Sequence, residues 1–555
     1  MLTRLASLDA VAVLRDALRN RSIRRIQLAW TIGTAAEWAF LVILLVVAYD
    51  AGGALAVGVL GAVRVVPVII AAPFAALLVE RFRGDRVLTS INIARAAGAL
   101  LTALVIAVDL PLALVFVLAG LVAGAGALVR PIQSALLPAF ARTPGELVAA
   151  NVTTSLGEGV GVFVGPLLAS AVVAATDSSA ASVLVAAAFA TAAAAVTGVK
   201  FERAADARAG RGADGSAGFH LRDVPRTIRR YPTTALILLD FLAQIFVRGL
   251  LITLIVVASI ELLDMGQAGV GLLNAAIGLG GLVGAFVALG LAGGRRLPVL
   301  FLVSLAVWGV PLMLIGAWPL ATVGLIALFV TGISNAVLDV AGFTLIQRDT
   351  RNEDRVTIFG FLEALIGVGI LVGSLVAPAL VVAVGARGAL VVAGAVLPMM
   401  AILTWRQIAR GSRAGAGRER RVALLRRNQL FAPLPLTALD LLAESMHPVS
   451  FEEGSVLMMK GETGAEYLVL ASGEVDVRDG DARLGVFGPG DGVGEIALLR
   501  SVPRTATVVA RTSVEAYSIG ADAFLDAMTG HTARAAADAL VAQRLGRDLP
   551  VSGPG

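Results

Sequence analysis

The chain has 555 residues, of which 57% are hydrophobic and 15% charged, and its formal net charge is +5. Soluble globular chains are nearer half apolar and a quarter charged, and the apolar excess here lies before about residue 408. The composition therefore excludes a wholly soluble protein and predicts two regions in different solvents. The chain has no cysteine and only three scattered histidines, so neither disulfides nor a metal site is expected. Its basic residues are almost all arginine, a bias typical of GC-rich bacterial genomes.

The first 25 residues form a basic segment that we predict to be cytoplasmic. They carry six arginines and have no apolar run before a small-residue cleavage site, which excludes a secretory signal. Apolar residues from Leu2 to Leu18 recur at helical spacing. The segment is therefore either a helix on a membrane surface or a plain basic tail.

Long apolar stretches follow as far as residue 408. The hydrocarbon core of a bilayer is roughly 30 Å thick, and about 20 helical residues cross it. By this measure the sequence predicts twelve membrane spans, which begin near Ile26, Leu55, Val87, Pro111, Val148, Ala181, Ala235, Ala268, Pro298, Pro319, Val356 and Ala389. A basic cytoplasmic loop, 200–232, separates a first half at 26–199 from a second half at 233–408.

The charges of the loops give the orientation of these spans. Basic residues crowd the N-terminal segment, the central loop, alternate shorter loops and the segment after Trp405. The intervening loops carry acidic residues, with Arg387 as the one basic exception. Since cytoplasmic loops carry the excess of arginine and lysine, we predict that both termini are cytoplasmic.

The two halves share short motifs in the same order. Ile43–Ala48 ends the first span and is similar to Leu254–Ala258 at the end of the seventh. A Gly-x-x-x-Gly motif begins at Gly161 in the fifth span, and another begins at Gly369 in the eleventh. Because these matches keep an offset of about 210 residues, we predict a six-plus-six internal repeat.

Six plus six spans, a basic central loop and cytoplasmic termini resemble the major facilitator superfamily of transporters. Gly161–Ser170 is similar to the fifth-span motif of its exporters, and Arg130–Pro138 with the later Asn151 resembles the subgroup that includes enterobactin and macrolide exporters. The loop Ala76–Arg86 keeps the acid-arginine-aromatic core of the family signature but lacks its leading glycine and its Gly-Arg-Arg ending. The resemblance covers about Ile26–Gln407 and implies a secondary active transporter in the cell membrane.

Several ionisable residues lie inside the predicted spans, where charge is costly and marks either a transport pathway or a static pair between helices. The candidates for transport and proton coupling are Glu37, Arg64, Arg130, Glu158, Asp240, Arg248 and Glu363. A carboxylate that gains and loses a proton in turn could couple transport to a proton gradient, and we expect Glu37 or Glu363 in this role. The positive charges of Arg64 and Arg130 would favour an anionic or zwitterionic substrate.

Glu37 and Arg248 occupy nearly equivalent places in the first and seventh spans. In the fold that the resemblance implies, these two spans face each other across a central cavity. We therefore predict an ion pair between Glu37 and Arg248.

The region after the spans has a different pattern. Residues 409–425 form a predicted basic linker, and 426–530 form a domain that opens with a helical period between Leu430 and Ala443. From Val449 onward, short β-rich runs alternate with glycines, which predicts a small cytoplasmic β-roll. Residues 531–555 are a C-terminal tail.

The most specific motif lies in this last domain. It resembles the phosphate-binding cassette of cyclic nucleotide-binding domains, through Gly494, Glu495, Ile496, Ala497, Leu498, Arg504, Thr505 and Ala506. The resemblance implies that Arg504 and the backbone N–H groups of Ala497 and Leu498 bind the cyclic phosphate. It also implies that Glu495 accepts a hydrogen bond from the ribose 2′-hydroxyl and that Thr505 and Ala506 lie near the base and phosphate.

One departure from the cassette precedes Gly494, where the family usually has aromatic residues. Here the two positions are Gly492 and Val493, which predicts looser packing. A β-roll that has lost its ligand is the alternative to a nucleotide-binding domain.

Together these features predict a secondary active transporter: a proton-coupled exporter of a small molecule, regulated by cytoplasmic cyclic nucleotide, with cyclic AMP favoured over cyclic GMP. The chain has no Gly-x-x-x-x-Gly-Lys-(Ser/Thr) loop, so ATP-driven transport is not expected, and neither enzymatic activity nor nucleic-acid binding is predicted. The alternative is a non-transporting cyclic nucleotide receptor built on a transporter-like membrane domain. A transcription factor and a cyclic nucleotide-gated channel are disfavoured, since the chain lacks room for a helix-turn-helix after Ser518 and lacks a Thr-x-Gly-Tyr-Gly filter.

Overall fold

The computed structural model describes residues 20–528, apart from 72–73, 75–77, 79–80, 141–143, 198, 200–223, 292–296, 435 and 481. Most of the predicted N-terminal segment, most of the central loop and the whole predicted tail therefore lie outside the described residues. The chain divides into two units. The first contains Met1–Ile346 and Val356–Ala409, and the second contains Gln347–Arg355 and Arg410–Gly555.

The first unit is built from helices. They are α1 (Arg21–Ala71), α2 (Gly84–Ala107), α3 (Leu112–Ala127), α4 (Val129–Phe140), α5 (Pro144–Ala175), α6 (Ser178–Val196), α7 (Val224–Arg230), α8 (Pro232–Val257), α9 (Gly266–Leu291), α10 (Leu297–Ala317), α11 (Ala321–Asp349) as far as Ile346, and the part of α12 (Asn352–Arg427) from Val356 to Ala409. A single π-helical turn, Ala258–Leu262, continues α8.

Ten helices in the described chain are long and apolar enough to cross a membrane. Two of these stretches have 51 and 52 residues, and each could cross twice, since about 20 residues suffice for one crossing. Both contain breaks in the helical backbone, at Gly52 and Gly53 in α1 and at Gly385 in α12. Gly53 and Gly385 have φ values of 60° and 72°, which glycine adopts without the strain that a side chain would add. The breaks lie just before the predicted second and twelfth spans.

The two Gly-x-x-x-Gly motifs make equivalent helix contacts in the two halves. A Cβ atom at Gly161 of α5 would lie 2.8 Å from Cβ of Thr34 on α1, and one at Gly369 of α12 would lie 2.7 Å from Cγ2 of Ile245 on α8. Small residues let helix backbones approach closely in membranes. The motifs therefore pack the fifth predicted span on the first, and the eleventh on the seventh, as an internal repeat requires.

The second unit is a β-roll with flanking helices. Beyond the end of α12, it contains α13 (Leu436–Ser445), β1 (His447–Phe451), β2 (Val456–Met458), β3 (Glu466–Ser472), β4 (Val475–Asp479), β5 (Ala482–Phe487), β6 (Gly492–Val493), α14 (Glu495–Arg500), β7 (Thr507–Ala510), β8 (Val514–Gly520) and α15 (Ala521–Ala527). The strands form two four-stranded sheets, in the orders β1-β8-β3-β6 and β2-β7-β4-β5, with antiparallel pairing. The predicted linker 409–425 is helical and lies within α12.

Two apolar cores hold this unit together. Residues between the two sheets form one core, which includes Met458, Leu470 and Val508. The other joins the helices to the roll through three aromatic rings, Phe431, Tyr467 and Phe524, whose centroids lie 4.9–5.9 Å apart. Asn428 extends this second core, because its side-chain amide donates hydrogen bonds to the Tyr467 hydroxyl and to the Gly490 carbonyl oxygen, each at 3.1 Å.

Candidate functional site

The second unit contains a cavity between one sheet and helix α14. Seven of the eight predicted cassette residues line it, namely Gly494, Glu495, Ile496, Ala497, Arg504, Thr505 and Ala506. Leu498 instead packs into the core that contains Phe431 and Tyr467. The cassette thus forms one wall of a cavity.

Arg504 is the buried cation of this cavity, with 6% of its surface exposed. Its Nη1 donates to the Gly494 carbonyl oxygen at 3.0 Å, and its Nη2 donates to the Glu466 carbonyl oxygen at 2.7 Å. Burial lowers the pKa of Arg504, while the carboxylates of Glu466, Glu495 and Glu462 oppose this shift. An arginine keeps its charge in proteins, so the cavity wall presents a guanidinium suited to a phosphate.

Two glycines make room for this guanidinium. A Cβ atom at Gly464 would overlap Cζ of Arg504, and one at Gly494 would overlap its Nη1. Gly494 also has a φ of 101°, a conformation that side chains rarely allow. The glycine that opens the cassette is therefore required both by backbone conformation and by the position of Arg504.

The looser packing expected before Gly494 is not found. A Cβ atom at Gly492 would overlap the hydroxyl of Tyr467, because the tyrosine ring from β3 already fills that space. Gly492 and Val493 are both buried and form β6. An aromatic ring is therefore present near this position, but a neighbouring strand supplies it.

The other wall of the cavity was not predicted from the sequence. It consists mainly of apolar strand residues, namely Met458, Val477, Leu484, Phe487, Val493 and Val508, together with the carboxylate of Asp479. Asp479 forms an ion pair with Lys460. The residues come from five separate elements, so no contiguous motif marks them, although the alternation along β4 was available as a signal.

In the first unit, Glu37 is paired within its own half. Arg95 of α2 donates from Nη2 to Glu37 Oε2 at 2.6 Å, and its guanidinium carbon lies 4.2 Å from the centre of the Phe189 ring. Arg95 is 2% exposed, and Arg64 interacts electrostatically with both Glu37 and Arg95. The predicted ion pair between Glu37 and Arg248 is not found among the described residues, where Arg95 instead binds the Glu37 carboxylate.

The remaining predicted charges form separate groups. Arg130 pairs with Glu158 at 3.6 Å, between α4 and α5. Arg248 is exposed and interacts electrostatically with Asp339, whereas Glu363 is exposed on α12. The structure thus brings Glu37 together with Arg64, and Arg130 together with Glu158, but it does not gather all seven candidates into one site.

In the second half of the membrane domain, hydrogen-bonded polar side chains connect α8, α10 and α11. Both Gln244 Nε2 and Trp308 Nε1 donate to Asn335 Oδ1, at 3.0 and 3.1 Å. Asn335 Nδ2 in turn donates to Asp339 Oδ2 at 3.0 Å. Gln244 and Asn335 were not predicted from the sequence, although Asp240, Gln244 and Arg248 recur every four residues on one face of α8. Among the described residues no group of acidic and histidine side chains could hold a metal ion.

The membrane-spanning part of the chain matches a known protein family. The family model described as the Major Facilitator Superfamily matches residues 28–349, which is more than half of the 555 residues. The chain belongs to the Major Facilitator Superfamily. With ten long apolar helices in the described residues, this superfamily member is a multi-pass membrane protein.

The C-terminal part of this superfamily member matches a second family model, the cyclic nucleotide-binding domain, over residues 448–531. A cAMP-dependent protein kinase regulatory subunit from Colletotrichum orbiculare is 35% identical over 85 residues, which are 15% of this chain and 22% of that protein. A cGMP-dependent protein kinase from Plasmodium berghei is 28% identical over 109 residues, 20% of this chain and 13% of that protein. The chain therefore spans less than a quarter of either relative.

Solved structures also match part of this superfamily member. The regulatory domain of Toxoplasma gondii PKA, crystallised with cAMP, is 31% identical and has a TM-score of 0.19, covering 20% of this chain and 44% of that one. A regulatory subunit of a cAMP-independent protein kinase A from Trypanosoma brucei is 25% identical with a TM-score of 0.21, covering 21% and 44%. The membrane domain of this transporter family is thus joined to a cyclic nucleotide-binding domain.

Proposed function

We propose that the protein is a secondary active transporter of a small molecule and that a cyclic nucleotide bound in the second unit regulates it. The observation that carries the regulatory part is Arg504, a buried guanidinium on the wall of a cavity that Glu495 also lines. A cyclic phosphate is a monoanion, and a guanidinium offers it two parallel charge-assisted hydrogen bonds. The membership in the Major Facilitator Superfamily supports transport. The protein acts as a transporter and not as an enzyme.

The finer proposal for the membrane domain is a proton-coupled exporter in the bacterial cell membrane, similar to enterobactin and macrolide exporters. It has twelve spans, because α1 and α12 each cross the bilayer twice at their glycine breaks, and both termini are cytoplasmic. The equivalent Gly-x-x-x-Gly contacts in the two halves support this arrangement. Charge within the apolar helices, such as the buried Arg95 that pairs with Glu37, supports a pathway for ions or polar substrates.

The finer proposal for the nucleotide is cyclic AMP. A match to a cAMP-dependent protein kinase regulatory subunit supports it, and a match to a cGMP-dependent protein kinase favours the alternative. Titration of the purified full chain with each nucleotide decides between them. Binding of cyclic GMP more than tenfold tighter than that of cyclic AMP would make cyclic GMP the regulator.

The decisive test of the nucleotide site is the variant Arg504→Ala. Charge-assisted hydrogen bonds contribute roughly 1.5–3 kcal/mol, so we expect the Kd for cyclic AMP to rise at least tenfold in calorimetry of the full chain. The matched control is Arg511→Ala, which removes an exposed arginine that pairs with Glu474. Unchanged affinity in Arg504→Ala would show that the cavity does not bind the phosphate.

Transport is tested separately, in proteoliposomes. A panel of candidate compounds is first screened by thermal shift, because a bound ligand raises the apparent stability of the folded state. Those that bind are then tested for flux driven by a pH gradient. Nucleotide binding without flux of any binding compound would favour the non-transporting receptor.

A further inference from the structure

One acidic group of the membrane domain lies outside the charge pairs described above. Asp240 is on α8, and its side chain is completely buried. The neighbouring Phe241 packs against Phe301 of α10 and Phe343 of α11. Thr404 of α12 provides the one hydrogen-bond contact to the carboxyl group among the described residues, at 2.9 Å from Oδ2.

The hydrogen atoms around Asp240 can be counted. Thr404 Oγ1 lies 2.9 Å from Asp240 Oδ2 and also 2.9 Å from the Met400 carbonyl oxygen. A threonine hydroxyl carries one hydrogen, and a carbonyl oxygen only accepts. If the Thr404 hydroxyl donates to Met400, a proton on Asp240 Oδ2 is needed for the second contact. A protonated Asp240 therefore satisfies both contacts, whereas an ionised one leaves one of them without a hydrogen.

The second carboxyl oxygen also indicates that Asp240 is protonated. Asp240 Oδ1 is buried and has no hydrogen-bond partner among the described residues. A buried carboxylate anion needs a cation or several donors to offset its lost hydration, and one shared hydroxyl does not provide them. The carbonyl oxygen of a neutral acid carries much less charge and tolerates this position better.

Among the described residues, no charged neighbour favours the ionised form of Asp240. The elements packed against α8 include α1, α10, α11 and α12. The titratable or charged residues on them, at span depth or at the ends, include Glu37, Arg64, Asp339, Arg348, Glu363 and Arg406. The short helix α7 also packs against α8 and adds Arg226, Arg229 and Arg230. None of them acts on the carboxyl group of Asp240, for which burial and the Thr404 hydroxyl are the influences. Burial acts on Asp339 too, but there Arg248 and a hydrogen bond from Asn335 oppose it.

We propose that Asp240 is a proton-binding site of the membrane domain and that it is a neutral carboxylic acid in this conformation. The acid donates to Thr404, which donates to Met400. When a movement of α12 admits water, the O–H bond of Asp240 breaks, the proton passes to water and the carboxylate remains on the protein. The coupling role of this site rests on the proposed proton-driven transport, but the protonation itself does not.

Infrared spectroscopy of the purified full chain tests the protonation directly. A carboxylic acid has a C=O stretching band that an ionised carboxylate lacks. We expect such a band in mildly acidic buffer, with a small shift in D2O, and its loss in strongly alkaline buffer. We also expect the Asp240→Asn variant to lack this component of the band in mildly acidic buffer, and the matched control Asp339→Asn to retain it.

Asp240→Asn should remain folded, because an amide is a neutral replacement that can donate to Thr404 as the acid does. Its Tm in detergent should stay within a few degrees of the unchanged protein. A band of undiminished intensity in Asp240→Asn, or one that alkaline buffer does not reduce, would overturn the proposal. A lack of pH-driven flux in proteoliposomes of the unchanged protein would instead count against proton-coupled transport, so the two failures are distinguishable.

Discussion

At the scale of single residues, the sequence predicts the nucleotide cavity better than the membrane charges. The cassette is contiguous, so spacing alone places seven of its eight residues on one wall. The partner of Glu37 depends on which helix packs against α1 and on the relative height of the two helices. A single sequence does not give this information. Among the described residues, Arg95 and not the predicted Arg248 binds the carboxylate.

The position of Arg504 gives a prediction at this scale. In Gly464→Ala the new methyl group overlaps the guanidinium carbon of Arg504, and the flexible arginine moves instead of the backbone. We expect at least tenfold weaker cyclic AMP binding in calorimetry. The Tm of the cyclic nucleotide-binding domain, which we call the sensor, should be almost unchanged. The control is Gly488→Ala, where a Cβ atom meets nothing within 4 Å. Equal affinities in the two variants would mean that the position of Arg504 is unimportant for the ligand.

At the scale of elements, two strands of the β-roll have weak sequence signals. β6 has two residues, and β1 contains Pro448 and has no fully buried residue. The predicted linker is helical because arginine and alanine, which are frequent there, favour helix and because it continues a helix that is already formed. The composition of this segment predicted a linker between two domains, but the segment is helical because the preceding helix continues through it.

The hairpin of β4 and β5 gives a prediction about pH. Asp476 on β4 accepts from Arg478 at 2.9 Å and forms an ion pair with Arg483 of β5 at 2.6 Å. The hydrogen bond from Arg478, with that of Arg483, lowers the pKa of Asp476 below its ordinary 3.8. A carboxyl group with a lowered folded-state pKa stabilises the fold above its unfolded pKa, and the stabilisation is lost as pH falls through the lower folded value.

We therefore expect the Tm of the sensor to fall as the pH drops below about 4. In Asp476→Asn the Tm should be lower at neutral pH and should depend less on pH in this range. The measurement is differential scanning calorimetry of the full chain, with Asp522→Asn on α15 as the control. A pH dependence in Asp476→Asn as steep as in the unchanged protein would exclude this carboxylate as its source.

At the scale of the whole molecule, the sequence predicted both the transporter family and the nucleotide-binding cassette. It did not predict which segments of the chain make up the second unit. The unit includes Gln347–Arg355, where Arg351 forms an ion pair with Glu444 of α13. Regulation of transport by the nucleotide requires a coupling free energy between the two sites. Such coupling is typically about 1–3 kcal/mol and is reciprocal.

We expect the change in substrate affinity caused by saturating nucleotide to equal the change in nucleotide affinity caused by saturating substrate, at roughly 5- to 150-fold. Calorimetry of the full chain with a compound found in the thermal-shift panel measures both factors. Arg504→Ala should lose the effect of nucleotide on substrate while it keeps substrate binding itself. If nucleotide binds but changes neither substrate affinity nor flux, the sensor does not regulate transport.

The group of Glu37, Arg64 and Arg95 has two guanidinium groups and one carboxylate, so its formal charge is +1. A transmembrane voltage acts on such a charge with about 2.3 kcal/mol per 100 mV for a full crossing, and in proportion for a shorter displacement. Any rearrangement that carries α1 and α2 along the membrane normal therefore draws on the resting potential. If the proposed transport moves this group along the membrane normal, the membrane potential contributes to the conformational equilibrium of this half.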